Sequence, residues 1–372
     1  MDSIIVVFLF SFIFDGLMIT MYLLVKYLLK KFSSDHTKVS VIVPLYNKER
    51  TIGNLIKRLR CLFPLKNIFV INDASTDRSF KIAQKYGKGI NIIDLKKNVG
   101  KVGAISFVMS KITTPFTLIL DADVMLGSDF KCPTSLLDEK ITACSFNVMP
   151  MKTGKILCDL QSHEYAKSME LGRRFQDITS SVSCISGAAG LFQTERLREL
   201  TNLHSNNWDG EDFERTLIEL DRDGKVSYVP ELVETEVPKR FVKLIKQRIT
   251  GWWPGLWRNI PIMLKLMMKP SSHFLFKIDL FYQLFSLFTD IFKIITLFTV
   301  IYNKCFIVLL TMYFLYLILD VLSYKKIGGN YLEYPKTTLA LYPIYNVAQM
   351  LMRVAGLFVL IKKYLRTKMQ KT

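Results

Sequence analysis

Cysteine and histidine are scarce and scattered in this sequence. Its 372 residues include six cysteines and four histidines, and no two cysteines form a CxxC pair. No histidine stands at a metal-ligand spacing from them, so the sequence does not predict a zinc site. We expect the cysteines to be small buried apolar residues. No disulfide is needed, which fits a domain that faces a reducing compartment.

Acidic residues are few relative to basic ones. Fifty Lys and Arg stand against 32 Asp and Glu, which gives a formal net charge of +18, and half of all residues are apolar. Nucleic-acid-binding proteins are also basic, but they rarely carry several apolar runs of about 20 residues, the length that spans a bilayer core. The composition therefore favours an integral membrane protein with basic flanks, with the plasma membrane as its expected location and no nucleic acid as a partner.

The first apolar stretch lacks the marks of a cleaved signal peptide. Residues 3–29 are almost wholly apolar, yet no positive charge precedes them and no small-residue cleavage site follows. The stretch is also longer than the apolar part of a signal peptide. We therefore expect a transmembrane anchor over residues 1–31. The lysines at its end, including Lys30 and Lys31, predict that the domain after it is cytoplasmic.

Short β-branched runs alternate with helical patterns over residues 38–237. The runs are VSVIVPL, IFVIND, INIIDL and FTLILDAD. This alternation predicts an α/β domain with a mainly parallel sheet. Ligands of such sheets bind outside the carboxyl ends of the strands. The residues just after VSVIV, IFVI and TLIL are therefore expected to line one site.

The last third of the sequence predicts contact with a membrane. Residues 238–272 are expected to form an interfacial amphipathic segment, in which Phe241, Ile245 and Ile249 make one apolar stripe, although an ordinary solvated basic helix is the alternative. Residues 273–372 are expected to form C-terminal transmembrane helices, from apolar stretches at about 280–302, 305–324 and 339–361.

The predicted helix count conflicts with the charge pattern. Three spans after one anchor would place the basic C-terminal tail outside, so either one segment is re-entrant or the count is wrong. Asp290 and Lys293 lie inside the second predicted span at positions i and i+3. At this spacing the two side chains can pair, which predicts an ion pair within one helix.

Polar residues at the ends of the first two strand runs predict a nucleotide pocket. The stretch from Pro44 through Tyr46 to Glu49 lies at the end of the first run, and Asp73 ends the second. A base can stack on Tyr46 while Asp73 accepts a hydrogen bond from its ring N–H. Either stretch alone is also compatible with turn chemistry, because Pro, Asn, Asp and Ser favour turns.

The next two strand runs add positive and negative groups to the same edge. Asn98 to Gly103 begins a helix, so its backbone N–H groups and the Lys101 ammonium suit a diphosphate. The fourth run ends in Asp121 and Asp123, two residues apart, and their carboxylates therefore point to the same side. Two carboxylates predict a site for Mg²⁺ or Mn²⁺, which completes its shell with diphosphate oxygens.

In this order, PLYNKE, NDASTD, NVGK and DAD resemble the N-terminal half of family-2 glycosyltransferases of the GT-A fold. SCISGAAGLFQTERL is similar to the acceptor-side segment of the membrane-bound synthases, and NWDGEDFERTLIEL to their catalytic-base motif. The resemblance covers about residues 39–253. Hyaluronan, chitin, cellulose and poly-N-acetylglucosamine synthases share this plan, as does ceramide glucosyltransferase.

The resemblance implies roles for individual donor-side residues. It implies that Asp73 contacts the uracil of a UDP-sugar, that Asp121 lies beside the diphosphate, and that Asp123 ligates the metal. The metal cofactor implied is Mg²⁺ or Mn²⁺.

The resemblance also implies an acceptor side and a base. Ser186 and Gly187 are expected to bind the acceptor, and Asp212, next to Glu211, is expected to be the general base. An apolar stripe follows them in the sequence, which predicts a helix that holds the carboxylate on a fixed element. The alternative is that Glu211 and Asp212 only favour a helix N-terminus through its dipole.

One part of the sequence departs from the family pattern. The family often ends its catalytic half with Gln, two variable residues, Arg and Trp, whereas this sequence has Gln247, Arg248, Trp252 and Trp253 without Arg in the fourth place. Arg248 or Arg258 is expected to supply positive charge to the diphosphate. The two tryptophans either stack on the acceptor sugar or anchor the membrane interface. Processive and single addition both stay open.

The sequence therefore predicts an inverting transferase that moves sugar from a UDP-sugar to a glycan or lipid hydroxyl in contact with membrane lipids. A polyprenyl phosphate acceptor is already ionised and needs no base, so the Asp212 segment argues against it. A non-catalytic membrane scaffold or transporter with a retained fold is the alternative from another class. Such a protein is expected to have lost its carboxylates, which this sequence keeps.

Overall fold

The computed structural model describes residues 2–24, 30–206, 210–328 and 334–369. The chain divides into two compact units. The sheet unit contains residues 28–151 and 176–236, and the helical unit contains residues 1–27, 152–175 and 237–372.

The sheet unit contains one mixed sheet. Its strands are β1 (Val39–Leu45), β2 (Ile68–Asp73), β3 (Asn91–Leu95), β4 (Phe116–Leu120), β5 (Val124–Leu126), β6 (Ala143–Pro150), β7 (Ala189–Gln193) and β8 (Val226–Thr235). Their order across the sheet is β3-β2-β1-β4-β7-β6-β8-β5. The pairs β1–β2, β1–β4, β2–β3 and β6–β8 are parallel, and β4–β7, β6–β7 and β5–β8 are antiparallel. The predicted α/β fold with a mainly parallel sheet is confirmed.

The helices connect these strands and make up most of the helical unit. In chain order the described helices are α1 (Asp2–Leu24), α2 (Ile52–Leu62), α3 (Ser79–Tyr86), α4 (Gly100–Met109), α5 (Thr134–Glu139), α6 (Ile156–Ala166), α7 (Arg174–Asp177), α8 (Thr194–Leu203), α9 (Glu211–Asp221), α10 (Phe241–Gln247), α11 (Trp253–Arg258), α12 (Ile260–Met268), α13 (Phe274–Tyr302), α14 (Phe306–Ile327) and α15 (Lys336–Met369). Two π-helical turns, Lys167–Arg173 and Arg248–Trp252, follow α6 and α10. Short 3₁₀ turns, His36–Lys38 and Leu65–Asn67, precede β1 and β2.

Burial on both faces explains why β1, β2 and β4 are runs of apolar residues rather than alternating ones. Every residue of β2 and β4 is buried, and in β1 only Pro44 is partly exposed. Such strands belong to parallel sheets covered on both sides. The register pairs Leu45 with Asn72 and Ile42 with Ile119, so the carboxyl ends of these three strands lie at one edge. That edge is where the sequence predicted a site.

Among its described residues, the helical unit contains three helices that are long and apolar enough to cross a membrane: α13, α14 and α15. Their positions match the three predicted C-terminal stretches. The described apolar part of α1, Phe12–Leu24, is shorter than a span, and residues 25–29 of the predicted anchor lie outside the described residues. The transmembrane anchor over residues 1–31 therefore stays a prediction.

The charges inside α13 pair differently from the sequence expectation. Lys293 Nζ lies 2.7 Å from Asp15 Oδ2 on α1, and Asp290 Oδ2 lies 2.5 Å from Arg353 Nε on α15. The prediction that Asp290 and Lys293 pair with each other was wrong. A pair within α13 would leave Asp15 and Arg353 without counter-charges in a low-dielectric interior, whereas two pairs between helices satisfy all four.

The predicted interfacial segment folds as α10, a π-helical turn, α11 and α12. Ile245 and Ile249 of the predicted stripe pack against a core cluster that includes the buried Leu244. Phe241, the first residue of the stripe, is 48% exposed, and Val242 beside it is 77% exposed. The stripe is thus divided between the core and the surface, and its contact with a membrane stays a prediction.

Candidate active site

A cavity of about 210 Å³ opens at the carboxyl ends of β1, β2 and β4. It is lined by Pro44, Leu45, Tyr46, Lys48, Asp73, Lys101, Asp121, Ala122 and Asp123. The structure therefore brings most of the sequence-predicted donor residues together in one place. Glu49, another predicted donor residue, is not among the lining residues. The roles of all these residues in donor binding stay predictions.

Hydrogen bonds between the loops after β1 and β2 hold the rim of this cavity. Asn47 Oδ1 accepts from the N–H of Thr76 at 2.8 Å, and Ser75 Oγ accepts from the N–H of Asn47 at 3.1 Å. Asn47 has a φ of 52°, a left-handed conformation that Asn tolerates better than most residues. Glu49 accepts from the N–H and Nε of Arg78. Glu49 thus joins the two loops.

Tyr46 lies on this rim, and about half of its surface is exposed to solvent. The residue is 48% exposed. An exposed ring on the wall of a cavity that also contains charged residues offers a flat apolar surface to a planar ligand. This geometry suits the predicted stacking of a nucleotide base.

Asp73 is buried at the end of β2 and holds the start of α4. Its Oδ1 accepts from the N–H of Val99 at 2.7 Å and its Oδ2 from the N–H of Gly100 at 2.9 Å. The sequence predicted that the backbone N–H groups of this helix start bind a diphosphate. For these two groups that expectation was wrong, because a carboxylate of the protein already accepts from both.

Asp121 and Asp123 follow β4 and each contacts a lysine. Lys101 Nζ lies 2.7 Å from Asp121 Oδ1, and Lys48 Nζ donates to Asp123 Oδ2. The Asp121 side chain is 36% exposed and the Asp123 side chain 13%. Burial raises the pKa of Asp121 to about 6, with the negative charge of Asp123 acting in the same direction and Lys101 opposing it.

The donor set at these two aspartates suits a hard divalent cation in part. No group of three or more His, Cys, Asp or Glu that could hold a metal occurs among the described residues. Asp121 and Asp123 can supply two oxygen ligands on the cavity wall, and Mg²⁺ commonly binds through one or two carboxylates plus substrate phosphates. The residues therefore fit a metal that is completed by a diphosphate and water.

Lys101 connects the cavity to α9. Besides Asp121, its Nζ lies 2.9 Å from Glu211 Oε1 and donates to the carbonyl oxygen of Gly187 at 2.8 Å. Burial lowers the pKa of Lys101, but the carboxylates of Asp121 and Glu211 more than offset this, and the pKa is raised. The ammonium is therefore charged whenever these carboxylates are ionised.

Glu211 and Asp212 begin α9 in different electrostatic environments. Burial raises the pKa of Glu211, but the charges of Lys101 and Arg215 lower it to about 2. Burial also raises the pKa of Asp212, and the negative charge of Glu211 adds to this effect. Glu211 is therefore ionised at neutral pH and contacts both Lys101 and Arg215. Asp212 is a stronger base than an ordinary aspartate.

Asp212 is held in one orientation by backbone N–H groups. Its Oδ2 accepts from Gly187 at 2.8 Å and its Oδ1 from Phe213 at 2.9 Å. The predicted apolar stripe of this helix is buried: Phe213, Leu217 and Leu220. The helix therefore presents Asp212 from a fixed element, as expected. Its role as base stays a prediction, and residues 207–209 of the same motif lie outside the described residues.

The remaining predicted residues are divided between the two units. Ser186 and Gly187 lie in the loop before β7, beside α9. Gln247, Arg248, Trp252 and Trp253 belong to the helical unit.

Arg248 is fully buried in the helical unit. Its Nη2 lies 3.0 Å from Glu164 Oε2, and its guanidinium lies 3.4 Å from the ring centroid of Trp252. This ion pair gives Arg248 a clear structural role. The predicted roles of these residues toward donor and acceptor stay predictions.

Two residues of the site were missed from the sequence. Lys48 contacts Asp123 in the cavity, and Arg215 lies 2.7 Å from Glu211 Oε2. Arg215 stands four residues after Glu211, a helical spacing that could have revealed the pair. No comparable local signal shows that Lys48 points into the cavity, because the contact depends on how the loop after β1 folds back over β4.

The chain is similar to known glycosyltransferases. Residues 40–133 match the family model Glycosyl transferase family 2. A poly-β-1,6-N-acetyl-D-glucosamine synthase from Staphylococcus epidermidis is 26% identical over 178 residues, which cover 45% of this chain and 43% of the synthase. The synthase from Staphylococcus aureus strain COL is 27% identical over 161 residues, 42% of this chain and 39% of that protein. The matched segment thus spans less than half the length of these curated relatives.

A solved structure covers far more of the chain. The mannosyltransferase PcManGT from Pyrobaculum calidifontis, in complex with GDP-Man and Mn²⁺, matches with a TM-score of 0.65 and 15% identity. The likeness covers 97% of each chain. At 15% identity, this likeness shows the fold of the chain and nothing further about it.

Proposed function

We propose that this chain, a glycosyltransferase with a family-2 domain and a GT-A fold, transfers a sugar from a UDP-sugar to a hydroxyl of a glycan or lipid at the cytoplasmic face of a membrane. The reaction inverts the configuration at the anomeric carbon. The non-catalytic alternative is less well supported because the chain keeps Asp212 and the cavity keeps the carboxylates of Asp73, Asp121 and Asp123.

The observation that carries the proposal is the contact set of Lys101. One ammonium touches Asp121 in the cavity and Glu211 beside Asp212. Lys101 therefore joins the predicted diphosphate site to Glu211, the residue next to the predicted base. A transferase needs this proximity, because the attacking hydroxyl and the leaving diphosphate meet at the same anomeric carbon.

The cavity rim offers a binding surface to the nucleoside part of the donor. The Tyr46 ring can stack on the base. Asp73 already accepts two backbone hydrogen bonds, but a carboxylate has about four acceptor sites in total. It can therefore also accept the ring N–H of uracil.

The transfer step assigns one proton and one electron pair. Asp212 accepts the proton of the acceptor hydroxyl while that oxygen bonds to the anomeric carbon. The bond from this carbon to the diphosphate breaks, and its electron pair leaves with UDP. The ammonium groups of Lys48 and Lys101 favour the charged leaving group. A Mg²⁺ or Mn²⁺ ion held by Asp121 and Asp123 would supply further positive charge to the diphosphate.

The relatives suggest the first substrates to try. The similar staphylococcal proteins are named as synthases of poly-β-1,6-N-acetyl-D-glucosamine, so we propose UDP-N-acetylglucosamine as the first donor. The raised pKa of Asp212 favours a neutral hydroxyl as acceptor, which a base must activate. A polyprenyl phosphate would not use this group.

The cytoplasmic placement follows from charge and apolar length. In the part of the chain that the structure describes, three helices are long and apolar enough to cross a membrane, and lysines follow the first apolar stretch of the sequence. An Asn206→Cys variant should resist an impermeant thiol reagent in intact cells and react after lysis. Labelling in intact cells would refute this placement.

The experiment that tests the reaction is donor turnover by the purified full chain. We expect UDP release from one or more UDP-sugars, with UDP-N-acetylglucosamine tried first and GDP-mannose as a nucleotide control. Mass spectrometry of the product then identifies the acceptor and shows one or many additions. Binding of UDP without turnover of any donor, across membranes and lipid extracts, would favour the non-catalytic alternative.

A further inference from the structure

Gly187 lies between the donor cavity and the proposed base. Its carbonyl oxygen accepts from Lys101 Nζ at 2.8 Å, and its N–H donates to Asp212 Oδ2 at 2.8 Å. Lys101 in turn contacts Asp121. Three consecutive polar contacts therefore run from the cavity wall to the carboxylate of Asp212, and Gly187 supplies two of them.

A side chain at position 187 would crowd the charged groups beside it. A Cβ atom there would lie 2.8 Å from Lys101 Nζ, 3.3 Å from Asp212 Oδ2 and 3.4 Å from Glu211 Oε1. The backbone of Gly187 is outside the left-handed region, so conformation alone does not demand glycine. A Cβ atom must shift the ammonium of Lys101, which breaks its present contacts, and presses against the carboxylate of Asp212.

A second contact fixes the same loop against α9. Thr216 is fully buried, and its Oγ accepts from the N–H of Ile185 at 2.9 Å and donates to the carbonyl oxygen of Asp212 at 2.7 Å. The loop therefore binds α9 at two points, the carboxylate of Asp212 through Gly187 and the hydroxyl of Thr216 through Ile185. Thr216, four residues after Asp212 on the same helix, connects the second point to the backbone of Asp212.

We infer that Gly187 is a positioning residue that fixes the orientation of Asp212 relative to Lys101. This role rests on the proposed function and differs from the direct acceptor contact that the sequence predicted. The N–H of Gly187 is already committed to Asp212. This contact keeps the base within hydrogen-bond reach of the acceptor hydroxyl. The placement matters because a displacement of about 1 Å can lower the rate 10²-fold.

Gly187→Ala tests the inference directly. We expect kcat to fall about 10- to 100-fold while the KM for acceptor and the Kd for UDP change less than about threefold. Gly172→Ala is the matched control, because its Cβ would meet nothing closer than 4.0 Å, and its kcat should stay within about twofold. A raised acceptor KM at unchanged kcat would instead support acceptor contact and overturn the positioning role.

Thr216 provides a second test that does not depend on the folding of Gly187→Ala. Thr216→Val removes the hydroxyl and keeps the shape, so kcat should fall about tenfold, whereas Thr216→Ser keeps the hydroxyl and should stay within about threefold. Both are assayed well below their unfolding temperatures. Lower thermal stability of Thr216→Val with unchanged kcat would show a merely structural role and count against the inference.

Asp212→Asn separates this inference from the proposed function. If Asp212→Asn retains wild-type turnover, the base assignment fails, and the positioning role fails with it. If Asp212→Asn is inactive while Gly187→Ala and Thr216→Val keep more than about a third of wild-type kcat, the base assignment survives and only the positioning role is overturned.

Discussion

The sheet unit and the helical unit both bury charged side chains, but in different arrangements. In the sheet unit, Lys101 contacts two carboxylates, and the side chain of Asp121 remains 36% exposed to the cavity. In the helical unit, Arg353 is paired with Asp290, whose side chain is only 1% exposed. One arrangement is open to a ligand and the other is closed.

This difference separates charges that serve binding from charges that serve assembly. An ion pair buried between helices far apart in sequence satisfies its own members and fixes which helices are neighbours. A lysine shared among several carboxylates at a cavity leaves acceptors that a cation or substrate can use. The two units should therefore respond differently when one charge is removed.

The largest effect is expected from withdrawing divalent cations from the sheet unit. A bound cation stabilises the charge that develops on the leaving group by several kcal/mol. Protein stripped of metal with EDTA should therefore lose about 10³-fold or more of its transfer rate. Added Mg²⁺ or Mn²⁺ should restore it, and Asp123→Asn should weaken the restoration. Transfer assays measure both. Full turnover in EDTA would remove the metal from the mechanism.

A somewhat smaller effect is expected from breaking a closed pair in the helical unit. Arg353→Met leaves the Asp290 carboxylate buried without its partner, which should cost about 3 kcal/mol of stability. The thermal unfolding midpoint in detergent should drop, while the Kd for UDP changes less than about twofold.

The double variant Asp290→Leu with Arg353→Met is the control for this pair. Replacing both charges by apolar groups is often neutral, so most of the lost stability should return. If the double variant is as unstable as Arg353→Met alone, the loss reflects packing rather than an unpaired charge. The contrast between the two units would then be weaker.

The smallest effect is expected at the open rim of the cavity. Tyr46→Ala removes the stacking surface, and base stacking on an aromatic ring is worth about 1–3 kcal/mol, so UDP should bind roughly tenfold more weakly. Tyr46→Phe keeps the ring and should bind UDP almost as well as the wild type. Calorimetric titration measures both. Equal affinity of Tyr46→Ala and wild type would place the base elsewhere.

The sequence was most informative where the signal is local. Apolar β-branched runs predicted β1, β2 and β4, because a strand buried on both faces needs little else. Residues placed directly after these strands, such as Asp121 and Asp123, followed from the rule that parallel strands end at one edge. Their assembly around a single cavity could therefore be predicted.

The sequence was least informative where contacts join distant segments. Asp73 accepts hydrogen bonds from two backbone N–H groups, and Lys293 pairs with Asp15. Each of these contacts links residues that are far apart in the chain. A helical spacing of three residues made Asp290 the local choice for Lys293. Tertiary packing offered both charges other partners, which no local pattern encodes.

The central claim is that Asp212 accepts the proton of the acceptor hydroxyl. Asp212→Asn keeps the shape and most hydrogen bonds of the side chain but removes its basicity, and the donor cavity at Tyr46 and Asp73 is not altered.

A transfer assay beside a calorimetric titration with UDP tests this claim on the wild type and Asp212→Asn. Turnover should fall about 10²- to 10⁴-fold. The Kd for UDP should change by less than about fivefold, or 1 kcal/mol. An Asp212→Asn protein that retains more than about a tenth of wild-type turnover would contradict the assignment of the base.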